Sequence, residues 1–203
     1  MSFKKLTPLL KESLTRIGHE EPTAFQKTAL PKVKGGADVF GIAPKNSGKT
    51  DALIISTIQK LKAEAYQDSP RALIFVKDKK AALELEANFK RFTRGTDLRV
   101  YAAYDEYNID FQKDEIYYGQ DIIITTTKRL SKLYLINGIH IGEVQLLIIE
   151  DAQFLASNNL HAEIIRLSES IKKCQYLIFA DKYYPKFDKF QNAFMSNSQL
   201  IEL

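Results

Sequence analysis

A single cysteine, Cys174, among 203 residues rules out an internal disulfide framework and fits a reducing compartment. No apolar run approaches the length that crosses a bilayer. The opening Met-Ser-Phe-Lys-Lys-Leu-Thr-Pro has no apolar signal core, so neither membrane nor export is expected and the cytoplasm is the expected location. Histidine is equally sparse. His19, His140 and His161 show no metal-ligand spacing, and ordinary surface or core positions are their default. Charge is not concentrated in one sign: the net of +4 is compatible with a polyanionic partner but does not establish one. There is also no internal repeat, low-complexity tract or obvious linker, which leaves one domain over residues 1–203.

What the chain does contain is alternation. Short β-rich runs fall at Val39–Ile42, Ala72–Val76, Leu98–Ala103, Asp121–Thr125, Gln145–Ile149, Gln175–Ala180 and Gln199–Glu202. Segments with a 3.6-residue apolar period lie between them, such as Ala81/Leu85/Phe89/Phe92 and Ile164/Leu167/Ile171. Several strands are apolar throughout, as expected where both faces are covered. The pattern predicts an α/β fold with a mainly parallel, doubly wound sheet and ligands at the carboxyl ends of its strands. Two helical pieces precede it, opened by Thr7-Pro8 and Pro22-Thr23.

The most informative stretch is Ala43-Pro-Lys-Asn-Ser-Gly-Lys-Thr50, between an apolar strand and a helical run. A strand, a tight loop ending Gly-Lys-Thr and a helix together make a cradle for nucleotide phosphates, lined by backbone N–H groups. Asn46, Ser47 and Gly48 form the loop, and Gly48 leaves room for close phosphate approach. Lys49 is expected to reach the β- and γ-phosphates, and the Thr50 hydroxyl to ligate Mg²⁺. The loop departs from the general pattern at Ala43, where a first glycine is usual, and at Asn46, a residue that tolerates left-handed backbone.

In order and spacing these motifs resemble the N-terminal, RecA-like half of a DEAD-box RNA helicase, over about Phe3 to Leu203. Gly18-His-Glu-Glu-Pro-Thr-Ala-Phe-Gln26 resembles the Q motif and, with its helices, makes residues 1–35 a lead-in. Asp121-Ile-Ile-Ile-Thr-Thr-Thr-Lys-Arg-Leu130 resembles the RNA-backbone motif, and Glu150-Asp-Ala-Gln153 stands where the family has Asp-Glu-Ala-Asp. The resemblance implies a three-layer RecA-like P-loop NTPase domain that binds ATP and Mg²⁺ and contacts RNA without reading its sequence. It implies that Gln26 reads the adenine edge, Phe3 packs on the base, Glu150 holds Mg²⁺ with Thr50, and Asp151 orients the attacking water. Lys49, Glu150 and Asp151 are thus the candidate catalytic residues, and Lys77, Lys79, Thr126 and Arg129 the candidate RNA contacts. Protein partners, including one carrying a second domain, are compatible with the same resemblance.

Departures from the family pattern temper the activity. Glu150 and Asp151 exchange the order of the acids, leaving Asp151 short by about one C–C bond, ~1.5 Å. Ala180-Asp-Lys182 replaces Ser-Ala-Thr, and Gln153 replaces its acidic partner. Lys77-Asp-Lys-Lys-Ala81 replaces Pro-Thr-Arg-Glu-Leu, and the double glycine after Ala103 is absent. The resemblance stops near Gln199–Leu203, so a second RecA-like domain with its arginine fingers is expected only in trans. A weak or partner-dependent ATPase that does not unwind duplexes alone is therefore expected, with an inactive adaptor as the alternative.

Simpler roles remain open for several residues. Thr23-Ala-Phe-Gln26 also reads as a capping box. Glu150 and Asp151 also read as a solvated strand end, Thr126 and Arg129 as a helix cap with a surface arginine, and the Lys77–Lys80 segment as a solvated face. Core or ordinary surface is the default for Tyr101, Tyr104, Tyr107, Tyr117 and Tyr118, which base stacking would otherwise use.

Overall fold

The computed structural model describes Phe3 and residues 6–203. Residues 1, 2, 4 and 5, where the lead-in over 1–35 and the domain over 1–203 begin, lie outside the described residues. Seven strands form one all-parallel sheet: β1 (Val39–Ile42), β2 (Ala72–Val76), β3 (Val100–Ala103), β4 (Ile122–Thr126), β5 (Leu146–Ile149), β6 (Gln175–Ala180) and β7 (Gln199–Glu202). Their order is β3-β4-β2-β5-β6-β1-β7. Helices α1 (Pro8–Arg16), α2 (Ala24–Lys34), α3 (Lys49–Lys60) and α4 (Lys79–Thr93) cover one face. The other face is covered by α5 (Ile109–Tyr117), α6 (Thr127–Leu135), α7 (Leu160–Ser168) and α8 (Phe187–Ala193).

The uniformly apolar strands follow from this double cover. Along β2, Ala72, Ile74 and Val76 enter the first core while Leu73 and Phe75 enter the second. Each large side chain so buried contributes about 1.5–3 kcal/mol. In β1, Gly41 makes space for aromatic packing. A Cβ there would sit 2.6 Å from the Phe179 ring and 2.8 Å from Phe25, the α2 residue next to Gln26. The small residue thus lets α2 lie close to the strand that feeds the phosphate loop.

Three strands begin one or two residues later than their sequence pattern predicts, and a buried carboxylate explains two of the shifts. Asp121 has no exposure, and its side chain binds two arginines just before β4. Its Oδ1 accepts from Arg71 Nη2 (2.7 Å) and the Tyr66 amide (3.0 Å), and its Oδ2 from Arg99 Nε (2.9 Å) and the Arg99 amide (3.1 Å). The Arg99 amide is taken by this carboxylate, and β3 starts at Val100 instead of Leu98 and β4 at Ile122. Burial alone would raise the Asp121 carboxyl, but the Arg99 and Arg71 hydrogen bonds outweigh it and hold it below the ordinary range. The third shift is at β5, which starts at Leu146, after the Gln145 amide donates to the Arg71 carbonyl (2.8 Å).

Candidate nucleotide site

Strands β5, β6 and β1 are neighbours, so the loops leaving their carboxyl ends meet. Residues 43–48 follow β1, Glu150 and Asp151 follow β5, and Asp181 follows β6. The loop after β1 bends through left-handed backbone at Asn46 (φ 62°) and at Gly48 (φ 90°), which caps α3. Lys45, Asn46, Gly48, Lys49, Thr50, Asp51 and Asp151 line a hollow of about 430 Å³ there.

The Q-like segment grips this loop directly. Thr23 and Gln26 form the full capping box of α2: the Thr23 hydroxyl accepts from the Gln26 amide, and Gln26 Oε1 accepts from the Thr23 amide (3.0 Å). The same two side chains also donate outward, Thr23 Oγ1 to the Ser47 carbonyl (2.8 Å) and Gln26 Nε2 to the Gly48 carbonyl (3.1 Å). The helix cap and the contact with the phosphate loop are therefore one device. Gly48 completes it, because a Cβ there would lie 2.7 Å from Gln26 Nε2 and 2.8 Å from Thr23 Oγ1. Phe3 is half-buried and lines another hollow of about 700 Å³, which Gly18, His19, Pro22 and Lys27 also line.

Lys49 is buried and folds back on its own loop, donating to the carbonyls of Ala43 (2.5 Å) and Pro44 (2.8 Å). Burial lowers its pKa, against the raising charges of Asp151, Asp181 and Glu150. To reach a phosphate the ammonium must exchange those two carbonyls for phosphate oxygens. Thr50 Oγ1 donates to Glu150 Oε1 (2.9 Å), which brings the two expected metal-binding side chains together. Burial pushes the Glu150 carboxyl up to about 7; the Thr50 hydrogen bond lowers it, and the nearby Asp151 charge raises it. Asp151 is exposed and sits in left-handed backbone (φ 46°), facing the hollow.

The residues at the coupling position do not meet. Gln153 Oε1 is buried without a partner, while Asp181 accepts from the Lys182 amide (2.9 Å) and the Tyr184 hydroxyl (3.0 Å).

The candidate RNA contacts divide into two groups. Lys77 and Lys79 are exposed beyond β2, with Lys79 Nζ 5.2 Å from the Tyr104 ring centre. Arg129, expected to grip phosphates, is only 3% exposed. Its Nη2 donates to the carbonyls of Asp105 (2.5 Å) and Tyr107 (2.9 Å). Thr126 caps α6 and donates to Asp105 Oδ2 (2.8 Å). Both side chains hold the 104–107 loop, because that loop presents carbonyls and a carboxylate at the very start of α6.

Sequence reasoning missed the pair His19–Asp51. His19 Nε2 lies 3.2 Å from Asp51 Oδ2, and its ring stacks on Phe92 at 5.7 Å, tying the lead-in to the first turn of α3. The available signal was proximity in sequence: His19 lies inside the Q-like segment and Asp51 directly follows Thr50.

A parallel sheet covered on both faces, with a Gly-Lys-Thr loop after one strand and acids after a near neighbour, is the layout of a RecA-like fold. The chain belongs to the DEAD/DEAH box helicase family, whose model matches residues 23–191. It is 28% identical over 199 residues to "ATP-dependent RNA helicase DBP10" of Phaeosphaeria nodorum, covering 98% of this chain and 23% of that protein. It is 29% identical to "ATP-dependent RNA helicase ddx54" of Dictyostelium discoideum, over 98% of this chain and 18% of that one. The chain thus spans about a fifth of the length of these relatives. A DEAD box protein from Methanococcus jannaschii superposes with a TM-score of 0.91 at 16% identity, over 100% of this chain and 56% of that one. S. cerevisiae Dbp5 bound to Nup159, Gle1, IP6 and ADP gives 0.85 at 17%, over 98% and 52%.

Proposed function

We propose that this domain binds ATP with Mg²⁺, hydrolyses it slowly or only with a partner chain, and contacts RNA phosphates without reading sequence, in the cytoplasm. The observation that carries the reading is the pair of bonds from Thr23 and Gln26 to the carbonyls of Ser47 and Gly48. They couple the base-reading segment to the phosphate loop. The residues also fit the ligands. Ser47 Oγ is buried and unpartnered within the loop, and Lys45, Asn46, Gly48, Lys49 and Thr50 line the hollow beside it. Thr50 and Glu150 are hard oxygen donors suited to Mg²⁺. Among the described residues no all-protein cluster of three ligands forms, so such an ion would be shared with phosphate oxygens. Bound there, Mg²⁺ would neutralise charge on the phosphates.

Slow turnover follows from the shorter arm of Asp151, since misplacement by about 1 Å costs ~10²-fold. Transition-state charge stabilisation by arginines of a second RecA-like domain lies outside these residues. RNA contact is assigned to Lys77 and Lys79, with Arg129 and Thr126 setting the adjacent backbone. A second reading, an adaptor without useful hydrolysis, draws on the unpartnered Gln153 and on Asp181 bonding to the Tyr184 hydroxyl instead.

ATP turnover measured with and without single-stranded RNA separates the two. The expected rate lies below the ordinary enzymatic range of ~1–10³ s⁻¹, and Glu150→Asp combined with Asp151→Glu raises it. A rate inside that range for the unmodified protein refutes the reach argument. ATP binding with no turnover, even after the exchange, leaves the adaptor.

A further inference from the structure

Helix α5 buries Gln112 and Ile116 and turns its opposite face to solvent. On that outer face Phe111 is 62% exposed and Tyr118 80% exposed, seven residues apart and therefore on one helical stripe. Tyr107, just before the helix, is 49% exposed and extends the stripe. Its ring lies 6.1 Å from Tyr104 and 6.3 Å from Phe111. Carboxylates frame these rings. Residues 105–118 hold five acids and one lysine, a local net of −4 in a chain whose total is +4. Asp105 is spent on Thr126 and Lys132, but no ion pair among the described residues engages Glu106, Asp110, Asp114 or Glu115. The patch already holds one cation against a ring, Lys79 over Tyr104.

We propose that this face of α5 docks an arginine-rich segment of a partner protein. Guanidinium planes stack on exposed aromatic faces and pair bidentately with carboxylates, which a lysine does less well. The same carboxylates repel a phosphate backbone, so the exposed rings are not a platform for RNA bases. The site lies along the β3 edge of the sheet, away from the hollow between β1 and β5.

The test uses fluorescence anisotropy with a short oligoarginine peptide, oligolysine and oligoglutamate of equal length, and a single-stranded oligouridylate. Oligoarginine should bind in a salt-sensitive way, about fivefold or more tightly than oligolysine. Phe111→Ser with Tyr118→Ser should weaken oligoarginine about tenfold and erase its advantage. Tyr66→Ser, an exposed aromatic elsewhere, should leave it unchanged. Asp114→Asn with Glu115→Gln should weaken both cationic peptides. All these side chains are exposed, and unchanged melting temperatures verify the fold. Equal affinity for the two cationic peptides, or an aromatic double variant that binds like the unmodified protein, overturns the proposal. Oligouridylate binding that depends on Phe111 and Tyr118 overturns it in favour of nucleic acid.

Discussion

Glu150 is a residue whose charge state the fold moves to near-neutral pH, and the consequences are measurable. Burial lifts its carboxyl from 4.5 to about 7 in the folded protein. A raised folded pKa means that the native state binds the proton more tightly than the unfolded chain. The resulting stability is fully present below pH 4.5 and is lost as pH rises through 7. A shift of that size corresponds to about 3 kcal/mol in total, of which roughly 2 kcal/mol is lost between pH 5.5 and 8. For a domain of this size that equals about 4–8 °C in melting temperature. Glu150→Gln keeps an acceptor for the Thr50 hydroxyl but cannot ionise. The variant should match the unmodified protein near pH 4, melt above it at pH 5.5, and exceed it by roughly 2 kcal/mol more at pH 8. The same proton opposes Mg²⁺, so the affinity for Mg²⁺–nucleotide should rise about tenfold from pH 6 to pH 8. Calorimetry in buffers of different ionisation enthalpy should show proton release near neutrality. A melting difference between the two proteins that does not change with pH refutes the reasoning, whatever the metal does.

Three further outcomes are expected. Gly48→Ala combines a left-handed backbone with contacts of 2.7 and 2.8 Å to Gln26 and Thr23. It should cost about 2–4 kcal/mol of stability and weaken ATP binding, read by thermal melting and nucleotide titration. Asp121→Ala leaves Arg71 and Arg99 without their carboxylate and should destabilise by about 3–5 kcal/mol, read by urea unfolding. Lys77→Ala and Lys79→Ala should each flatten the log–log salt dependence of single-stranded RNA binding by about 0.7. Arg129→Ala should instead lower stability by roughly 1.5–3 kcal/mol per lost charged hydrogen bond.

Local signals were the legible ones. The apolar runs located all seven strands, and Gly48-Lys49-Thr50 located the phosphate loop, because both depend on neighbours in sequence. The capping box at Thr23 and Gln26 was legible for the same reason. Its second function was not, since the bonds to Ser47 and Gly48 join positions more than twenty residues apart. The start of β3 slipped where a distant charge took a backbone amide, as the Asp121 carboxylate does with Arg99. Arg129 reads as a surface contact from its motif, but the carbonyls that bury it arrive from the 104–107 loop. No periodicity encodes such a meeting.

The central claim is that the Q-like segment and the phosphate loop form one adenine-nucleotide site. Displacement of a fluorescent ATP analogue by ATP and by GTP, with Mg²⁺ present, tests it most directly on the unmodified protein, Gln26→Ala and Lys49→Ala. ATP should displace the probe at lower concentration than GTP. Gln26→Ala should narrow that gap, and Lys49→Ala should weaken both by about 1.5–3 kcal/mol. Equal displacement by ATP and GTP in the unmodified protein would contradict the claim and leave Gln26 as a helix cap alone.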